Sequence, residues 1–217
     1  MEKIEDVRFT ECIDSKYVHP SRMHYKQNGK DKIWDLMKVH ESVAAILYNK
    51  TREVLIYVRQ FRPAVYYGAI TQADAAHGHA IDMKKYPVSL GMTLELCAGI
   101  LDKPGVPSVQ VMQEEILEEC GYNVPLSSIE KVTSFRSSVG VMGSKQELFY
   151  AEVTDDQKQM AGGGNAMENE MVEVVEMSIP QARQMITDEN ILRPPACLFG
   201  TLWFLTFKYQ GDKPKSA

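Results

Sequence analysis

Short runs of apolar, β-branched and aromatic residues recur along the chain, separated by polar stretches that contain glycine and proline. The clearest run is VLIYVRQF at positions 54–61, which is typical of a buried strand. Weaker strand-like patterns occur in VRFTEC, KYVHPSRMHYKQ, KIWDLMKVH, ESVAAILYN, KVTSFRSSV, ELFYAEV and MVEVVEMS. Asn28-Gly29 lies between the second and third of these weaker segments and predicts a β-hairpin.

A long polar excursion over residues 63–92 interrupts the strand pattern, because glycine and proline punctuate it throughout. Residues 93–97 (TLELC) then predict a short strand that stops at Ala98-Gly99. Two helical patterns close the chain, a short one near 181–187 and an apolar one over 195–209. Many strands with a few helices laid against them predict an α+β fold with a mixed sheet.

The segment SVQVMQEEILEEC at 108–120 follows the period of an α-helix. Its apolar positions are spaced by three and four residues: Val109, Met112, Ile116 and Cys120. At about 100° per residue these four fall within a sector of roughly 80°, so an amphipathic helix is predicted. Ser108 is a suitable N-cap, and Gly121 is a suitable stop.

The composition narrows the classes of function. The chain has 217 residues, a net charge of −5 and 44% hydrophobic residues. The acidic balance argues against a nucleic-acid partner, which requires a basic surface. No stretch approaches the ~20 apolar residues that cross a bilayer. The acidic N-terminus does not resemble a signal peptide, so we expect a cytoplasmic protein without a membrane partner.

Cysteines and histidines give only a weak indication of chemistry. The four cysteines lie far apart and are expected to be reduced and buried. His77 and His79 are one residue apart, but without a third ligand a solvated loop is the favoured interpretation over a metal site.

The predicted helix carries four carboxylates, Glu114, Glu115, Glu118 and Glu119. The last three fall within roughly 100° of one another, on the side away from the apolar stripe. A solvated face is the usual explanation of such a cluster. Here two like-charge pairs at i,i+4 each cost about 0.2–0.5 kcal/mol. No lysine or arginine lies between Pro104 and Glu130 to offset them. A divalent cation would relieve the repulsion, and oxygen ligands suit Mg²⁺ or Mn²⁺ rather than zinc.

These carboxylates belong to a longer pattern, Ala98-Gly99 followed by EILEECGY at 115–122. The pattern resembles the Nudix box, and the strand-rich N-terminal segment resembles the nucleoside-diphosphate-sugar branch of that family. Further similarity lies in 59–66, 95–99, 140–144, Phe149-Tyr150 and the glycine-rich loop before Glu168, so it extends over most of 30–210. The chain departs from the box at Glu114, where the family has arginine, and at Val106, where it has glutamate.

The resemblance implies the Nudix fold, a mixed sheet sandwiched between helices. It divides the chain into an N-terminal strand arm at 1–40, a hydrolase domain at 41–210 and a tail at 211–217. In this branch the arm pairs across a two-fold axis, so a homodimer is expected.

The implied activity is Mg²⁺-dependent hydrolysis of the pyrophosphate bond in a nucleoside diphosphate sugar. UDP-glucose would give UMP and glucose 1-phosphate, with ADP-ribose as the competing substrate. Carried over to this sequence, Glu115, Glu119 and the Ala98 carbonyl are expected to ligate the metal. Glu118 is expected to ligate it or to hold a water, in a catalytic role.

A Glu-x-Glu loop supplies the general base in a related branch of the family. Here Glu168 is the candidate base and Glu170 a possible metal ligand. Three glycines precede them, at 162–164, and would suit a loop that closes over a substrate. The alternative is a disordered acidic loop.

Two cations are candidates for contact with the substrate: Arg62, at the end of a predicted core strand, and Lys145. Plain surface positions are the alternative for both. Because Glu114 replaces the box arginine, a second function stays open. The chain could be a Nudix protein that binds a nucleotide sugar, or a protein partner, with little or no turnover. A purely structural role is the third possibility.

Overall fold

The computed structural model describes residues 3–15, 18–165 and 170–211. The strands are β1 (His19–Gln27), β2 (Lys30–Lys38), β3 (Ser42–Asn49), β4 (Val54–Phe61), β5 (Met92–Glu95), β6 (Cys97–Ile100), β7 (Ile129–Arg136), β8 (Lys145–Val153) and β9 (Glu173–Ser178). The α-helices are α1 (Pro63–Ala69), α2 (Ser108–Cys120), α3 (Ile179–Met185) and α4 (Pro195–Trp203), and a π-helical turn (Phe204–Lys208) continues α4.

Strands β3 to β9 form one mixed sheet. Its central order is β5-β4-β3-β8-β7, with β6 paired to β3 and β9 paired to β4. Strands β3 and β8 run parallel, and the other pairs are antiparallel. Alternate residues of β3 face opposite sides of this sheet, as its pleat requires. Val43 and Ala45 pack with α2 on one side, whereas Ala44 and Ile46 pack with α3 and α4 on the other. This sandwich confirms the predicted α+β class.

Strands β1 and β2 form a separate antiparallel hairpin. Asn28 and Gly29 have φ angles of 53° and 78°, the left-handed values that a tight two-residue turn requires, so the predicted hairpin is confirmed. The indole Nε1 of Trp34 donates to the carbonyl of Gly140 at 2.8 Å, and the Met37 amide donates to Val141 at 2.9 Å. These contacts join the hairpin to the loop between β7 and β8.

Strands β3 and β4 pair only over Leu47–Asn49 and diverge beyond that point. Strand β5 pairs with β4. After a single residue, Leu96, the chain continues as β6, which pairs with β3 instead. The prediction of one strand that stops at Ala98-Gly99 was therefore wrong, because the hydrophobic pattern does not show a change of pairing partner. The crossing places Glu95 and Ala98 on either side of the gap where β3 and β4 separate.

The central helix confirms its prediction closely. Helix α2 spans Ser108–Cys120, and Met112, Ile116 and Cys120 are fully buried. Gly121 ends it with a left-handed φ of 82°. Ser108 is not the N-cap, since Pro107 holds that position; the Ser108 hydroxyl instead donates to Glu147 at 2.9 Å.

The boundaries of the last helices differ from the sequence patterns. Helix α3 begins at Ile179, because Ser178 and Gln181 form a reciprocal capping box. Helix α4 ends at Trp203, and the predicted last turns adopt the π-helical arrangement. No helix among the described residues is long and apolar enough to span a bilayer.

The excursion over 63–92 folds around its own small apolar cluster, which includes Tyr66, Ile70 and Tyr86. The predicted strand VRFTEC packs on this cluster but forms only one isolated bridge, Arg8 with Ala80. His77 and His79 are exposed, as a solvated loop predicts. The cysteines are free thiols; three are buried as predicted, whereas Cys12 is exposed.

Candidate active site

Glu119 is fully buried at the edge of the gap between β3 and β4. Its Oε2 accepts a hydrogen bond from the Ala98 amide at 2.9 Å, and its Oε1 has no hydrogen-bond partner among the described residues. Burial raises the pKa of Glu119 to about 7, although the Ala98 hydrogen bond opposes the shift. The predicted position of Glu119, on the side of α2 away from the apolar stripe, implied exposure, and this was wrong because β6 covers that flank of the helix.

Glu115 lies one turn earlier on α2, against Gly99. A Cβ atom at Gly99 would lie 1.9 Å from Oε1 of Glu115, so any side chain at position 99 would displace the Glu115 carboxylate. Burial and the charges of Glu119, Glu170 and Glu118 raise the pKa of Glu115 to about 8. The protein itself therefore stabilises the ionised form of Glu115 poorly.

The glycine-rich loop docks on the C-terminal end of α2. The amides of Gly163 and Gly164 donate to the carbonyls of Glu119 and Glu118 at 2.9 and 3.1 Å. Both glycines and Gly162 have positive φ angles, and a Cβ at Gly162 would lie 2.3 Å from the Glu119 carbonyl oxygen. The glycines thus allow a close approach that caps the helix and holds one end of the loop beside the carboxylates.

Two acidic candidates lie on or beside this loop. The Asn165 amide donates to Oε2 of Glu118 at 3.2 Å, which orients that carboxylate. Glu170 lines the same cleft as Glu115 and Glu118. Glu168, the candidate base, lies outside the described residues.

Arg62 enters the site from the end of β4 and forms a two-pronged ion pair with Glu95. Its Nε and Nη2 donate to the two Glu95 oxygens, each at 2.7 Å, and the Thr93 hydroxyl donates to the same carboxylate at 2.6 Å. Burial opposes ionisation of Glu95, but these hydrogen bonds outweigh it, so its pKa is lowered. Glu95 and Thr93 therefore fix the plane of the Arg62 guanidinium.

Glu114, which replaces the box arginine, pairs with a lysine that precedes the helix. Its Oε2 accepts from Lys103 Nζ at 2.6 Å, and this hydrogen bond lowers the pKa of Glu114. Both side chains are substantially exposed, so the pair contributes only about 0–1 kcal/mol. Lys103 therefore relieves the extra carboxylate, and its charge also acts on Glu115, where it opposes the rise in pKa.

Lys145 is engaged elsewhere. Its Nζ lies 2.7 Å from Glu147 and 3.7 Å from Glu41, and it is not among the residues that line the cleft. Glu147 also accepts from Lys131 at 2.6 Å and from Ser108. Hydrogen bonds from the two lysines lower the pKa of Glu147 to about 2.

We expect Glu147→Gln to destabilise the fold at pH 7 by about 2 kcal/mol, since two lysines lose their shared anion. A carboxylate whose pKa is lowered on folding stabilises the protein above the unfolded pKa, near 4.5, and this contribution is lost as pH falls through 2. Urea unfolding at pH 7 and pH 3 measures the difference. Glu173→Gln, which removes a more exposed partner of Arg59, is the control. If the difference in unfolding free energy between wild type and E147Q is as large at pH 3 as at pH 7, Glu147 is not the stabilising anion that we assign.

The carboxylates surround a cleft of about 410 Å³. It is lined by Ser42, Arg62, Glu95, Ala98, Gly99, Ile100, Glu115, Glu118, Gln146 and Glu170. Arg62 is the one basic side chain among these lining residues. Four carboxylates facing one arginine make a site suited to a divalent cation together with an anionic ligand.

Sequence reasoning assigned no role to Glu95, Thr93, Gln146 or Ser42. The Gln146 amide donates to the Ser42 hydroxyl at 3.1 Å, across the parallel pair of β3 and β8. The alternation of Thr93 and Glu95 on one face of β5 was a usable signal, because both are polar in an otherwise apolar run. The pairing of β5 with β4, which brings them to Arg62, was not visible in the sequence.

The chain as a whole is similar to known proteins. No family model matches the chain. It is 42% identical over 213 residues to a uridine diphosphate glucose pyrophosphatase, NUDT14, of Bos taurus, covering 95% of this chain and 96% of the relative. The corresponding Mus musculus protein is 36% identical over the same shares. A GDP-mannose pyrophosphatase of Klebsiella pneumoniae is 32% identical over 146 residues, covering 67% of this chain and 62% of that protein.

Proposed function

Because the chain belongs to the Nudix family of nucleoside-diphosphate-sugar hydrolases, we propose that it hydrolyses UDP-glucose to UMP and glucose 1-phosphate. The similarity to uridine diphosphate glucose pyrophosphatases extends over 95% of the chain and favours this substrate. One structural observation carries the proposal: Glu119 is a buried carboxylate whose Oε1 has no hydrogen-bond partner in the described part of the chain, and its Oε2 accepts from Ala98, which lines the same cleft as Arg62. A buried anion with an unused oxygen is costly unless a cation meets it.

The residues present fit a divalent metal, and we propose Mg²⁺, with Mn²⁺ as the alternative. Glu115, Glu118, Glu119, Glu170 and the Ala98 carbonyl offer the hard oxygen ligands that these ions prefer. Among the described residues no three such side chains already converge as a preformed cage, so the carboxylates have to draw together around the ion. A bound cation would neutralise charge that develops on the pyrophosphate during attack by water.

We expect Gly99→Ala to weaken Mg²⁺ binding about 10-fold to 100-fold, the range typical when the support of a metal ligand is lost. The added methyl group would occupy the space of the Glu115 carboxylate. Titration calorimetry with Mg²⁺ measures the change. Gly68→Ala is the matched control, because no atom lies within 4 Å of a Cβ at that position. Equal Mg²⁺ affinities in the two variants would show that metal binding does not depend on the present position of Glu115.

Arg62 is proposed to bind the diphosphate. Its guanidinium is partly exposed to the cleft and is held in one plane by Glu95, so three of its five N–H donors remain oriented without further ordering. Arginine in such an arrangement suits phosphate oxygens better than lysine does. Lys145 is kept as a second candidate, although Glu147 would have to release it.

Water must lose a proton as it attacks phosphorus, and Glu168 is the proposed base. Glu118, oriented by Asn165, is proposed to assist by holding a ligand water or the metal. The anchored glycines fix the start of the loop that carries Glu168, and Glu170 follows at the cleft. The Glu170 amide donates to the Asn165 carbonyl at 3.0 Å, so the described residues on both sides of Glu168 are held beside the carboxylates.

A homodimer formed through the arm at 1–40, and a cytoplasmic location, complete the proposal. Hairpin β1–β2 presents Met23, Ile33 and Trp34 at least half exposed, although a two-stranded sheet alone is marginally stable. Pairing with the hairpin of a second copy would cover the face that carries Met23 and Trp34, which are neighbours across the two strands. Light scattering coupled to size exclusion would report twice the 24.5 kDa chain mass if this is correct.

The deciding experiment is product formation from UDP-glucose and from ADP-ribose, each with and without Mg²⁺. Release of UMP only with metal supports the proposal and shows that Glu114 is tolerated. Preferential release of AMP from ADP-ribose keeps the reaction and changes the substrate. Thermal stabilisation by both compounds without product would mean that the chain binds nucleotide sugars without hydrolysing them.

A further inference from the structure

A second cavity opens directly beside the carboxylate cleft. Its volume is about 310 Å³, and the two spaces share Glu95, Ala98 and Gln146 along their common wall. A ligand whose phosphates lie among the carboxylates could therefore extend into this cavity. The reaction described above uses none of the residues that line only this second space.

The lining of this cavity differs in character from that of the cleft. Phe135, Pro194 and Pro195 form flat apolar walls, and Ala44 and Leu96 contribute further apolar surface. Polar groups enter at Arg136, Ser137 and Ser138. A mostly apolar cavity with a few polar groups is the usual form of a small-molecule site.

Two features favour a planar ring as the occupant. Phe135 is held by an edge-to-face contact with Phe199, at 6.0 Å between ring centroids and 76° between planes. Arg136 donates from Nη1 to the Gly143 carbonyl at 2.8 Å, which restrains its guanidinium. A nucleobase can stack on an aromatic ring and use its edge for hydrogen bonds. A hexose needs polar partners around its whole edge, whereas most of the lining of this cavity is apolar.

We infer that this cavity binds the nucleobase of the substrate, stacked against Phe135 and the Pro194-Pro195 wall. The diphosphate then crosses Ala98 and Gln146 to reach Glu115, and the sugar lies toward the open part of the cleft. This inference rests on the proposed function. It implies that the enzyme selects its substrates by the base more than by the sugar.

Phe135→Leu and Phe135→Ala test the inference by steady-state kinetics on two substrates. One is UDP-glucose, and the other is methyl glucosyl diphosphate, which keeps the scissile bond and lacks the nucleoside. Loss of stacking should raise the KM for UDP-glucose about 10-fold to 100-fold and leave kcat nearly unchanged. The values for methyl glucosyl diphosphate should not move. Phe207→Ala, which truncates an aromatic side chain that is 69% exposed, is the control.

The outcomes separate this inference from the proposed function. An unchanged KM for UDP-glucose in both Phe135 variants, with an active wild type, overturns the base site alone. Equal losses on both substrates overturn it too, because the base-free compound cannot use a base site. If the wild type hydrolyses neither compound, the proposed function fails. Calorimetry with UMP then decides the inference: binding that weakens in Phe135→Leu supports it, and unaltered or absent binding overturns it.

Discussion

Glu119→Gln will lower the Mg²⁺-dependent turnover of UDP-glucose by about 10³-fold while the protein remains folded. The carboxylate is fully buried, and its Oε1 accepts no hydrogen bond from the residues that the structure describes. Glutamine can still accept the Ala98 hydrogen bond, but it cannot offer the cation a charged oxygen. Because burial disfavours the charged form of Glu119, removal of the charge should not lower the melting temperature of the metal-free protein.

Glu114→Gln is the control for this prediction. It removes one carboxylate from the same helix, in an exposed pair with Lys103, and should change stability by no more than about 1 kcal/mol. Turnover in that variant should stay close to that of the wild type. Comparable losses in the two variants would mean that the total charge of α2 matters rather than the position of Glu119. Full activity of Glu119→Gln would contradict the assignment of Glu119 as a metal ligand.

The sequence predicted α2 well because a helical period is a local property. Spacings of three and four identify the buried stripe, and Gly121 identifies the end. The burial of Glu119 was missed, since it depends on the Ala98 amide of a strand 21 residues earlier. A helical projection shows which side chains share a face of the helix. It does not show how far neighbouring strands cover the border between two faces.

The environment of Arg62 was beyond sequence reasoning for a related physical reason. Its partner Glu95 lies 33 residues away and is brought near by the register of β4 and β5. The same holds for Lys103, which stands just outside the stretch without cations that made Glu114 look unrelieved. Pairings between distant side chains follow from strand register and loop path, which patterns of single residues do not encode.

The glycines at 162–164 were recognised in the sequence, but their structural role is visible only in the fold. Their composition suggested a flexible hinge, and a flexible segment was the natural expectation. In the structure their positive φ angles and missing side chains let the backbone approach the end of α2, where their amides bind helix carbonyls. The glycines therefore link the carboxylates of the helix to the acidic residues that follow in the loop.

Glu168 and Glu170 both follow these glycines, but we expect their substitutions to have different effects. As the proposed base, Glu168 should matter for proton removal, so Glu168→Gln should lower kcat by about 10²-fold to 10⁴-fold. Its Mg²⁺ affinity should stay at the wild-type value. Glu170 lines the cleft and raises the pKa of Glu115, which makes it a neighbour of the ion.

Glu170→Gln should therefore change Mg²⁺ affinity first, with turnover partly restored at high metal concentration. Titration calorimetry gives the Mg²⁺ affinities. The kcat at saturating Mg²⁺ gives the effect on the chemical step, so the two variants are compared by two independent measurements. Unchanged turnover in Glu168→Gln would move the base elsewhere in the loop. Loss of metal affinity in both variants would instead make the pair a joint ligand set. The proton of the attacking water would then need a different acceptor, with Glu118, held by Asn165, as the next to test.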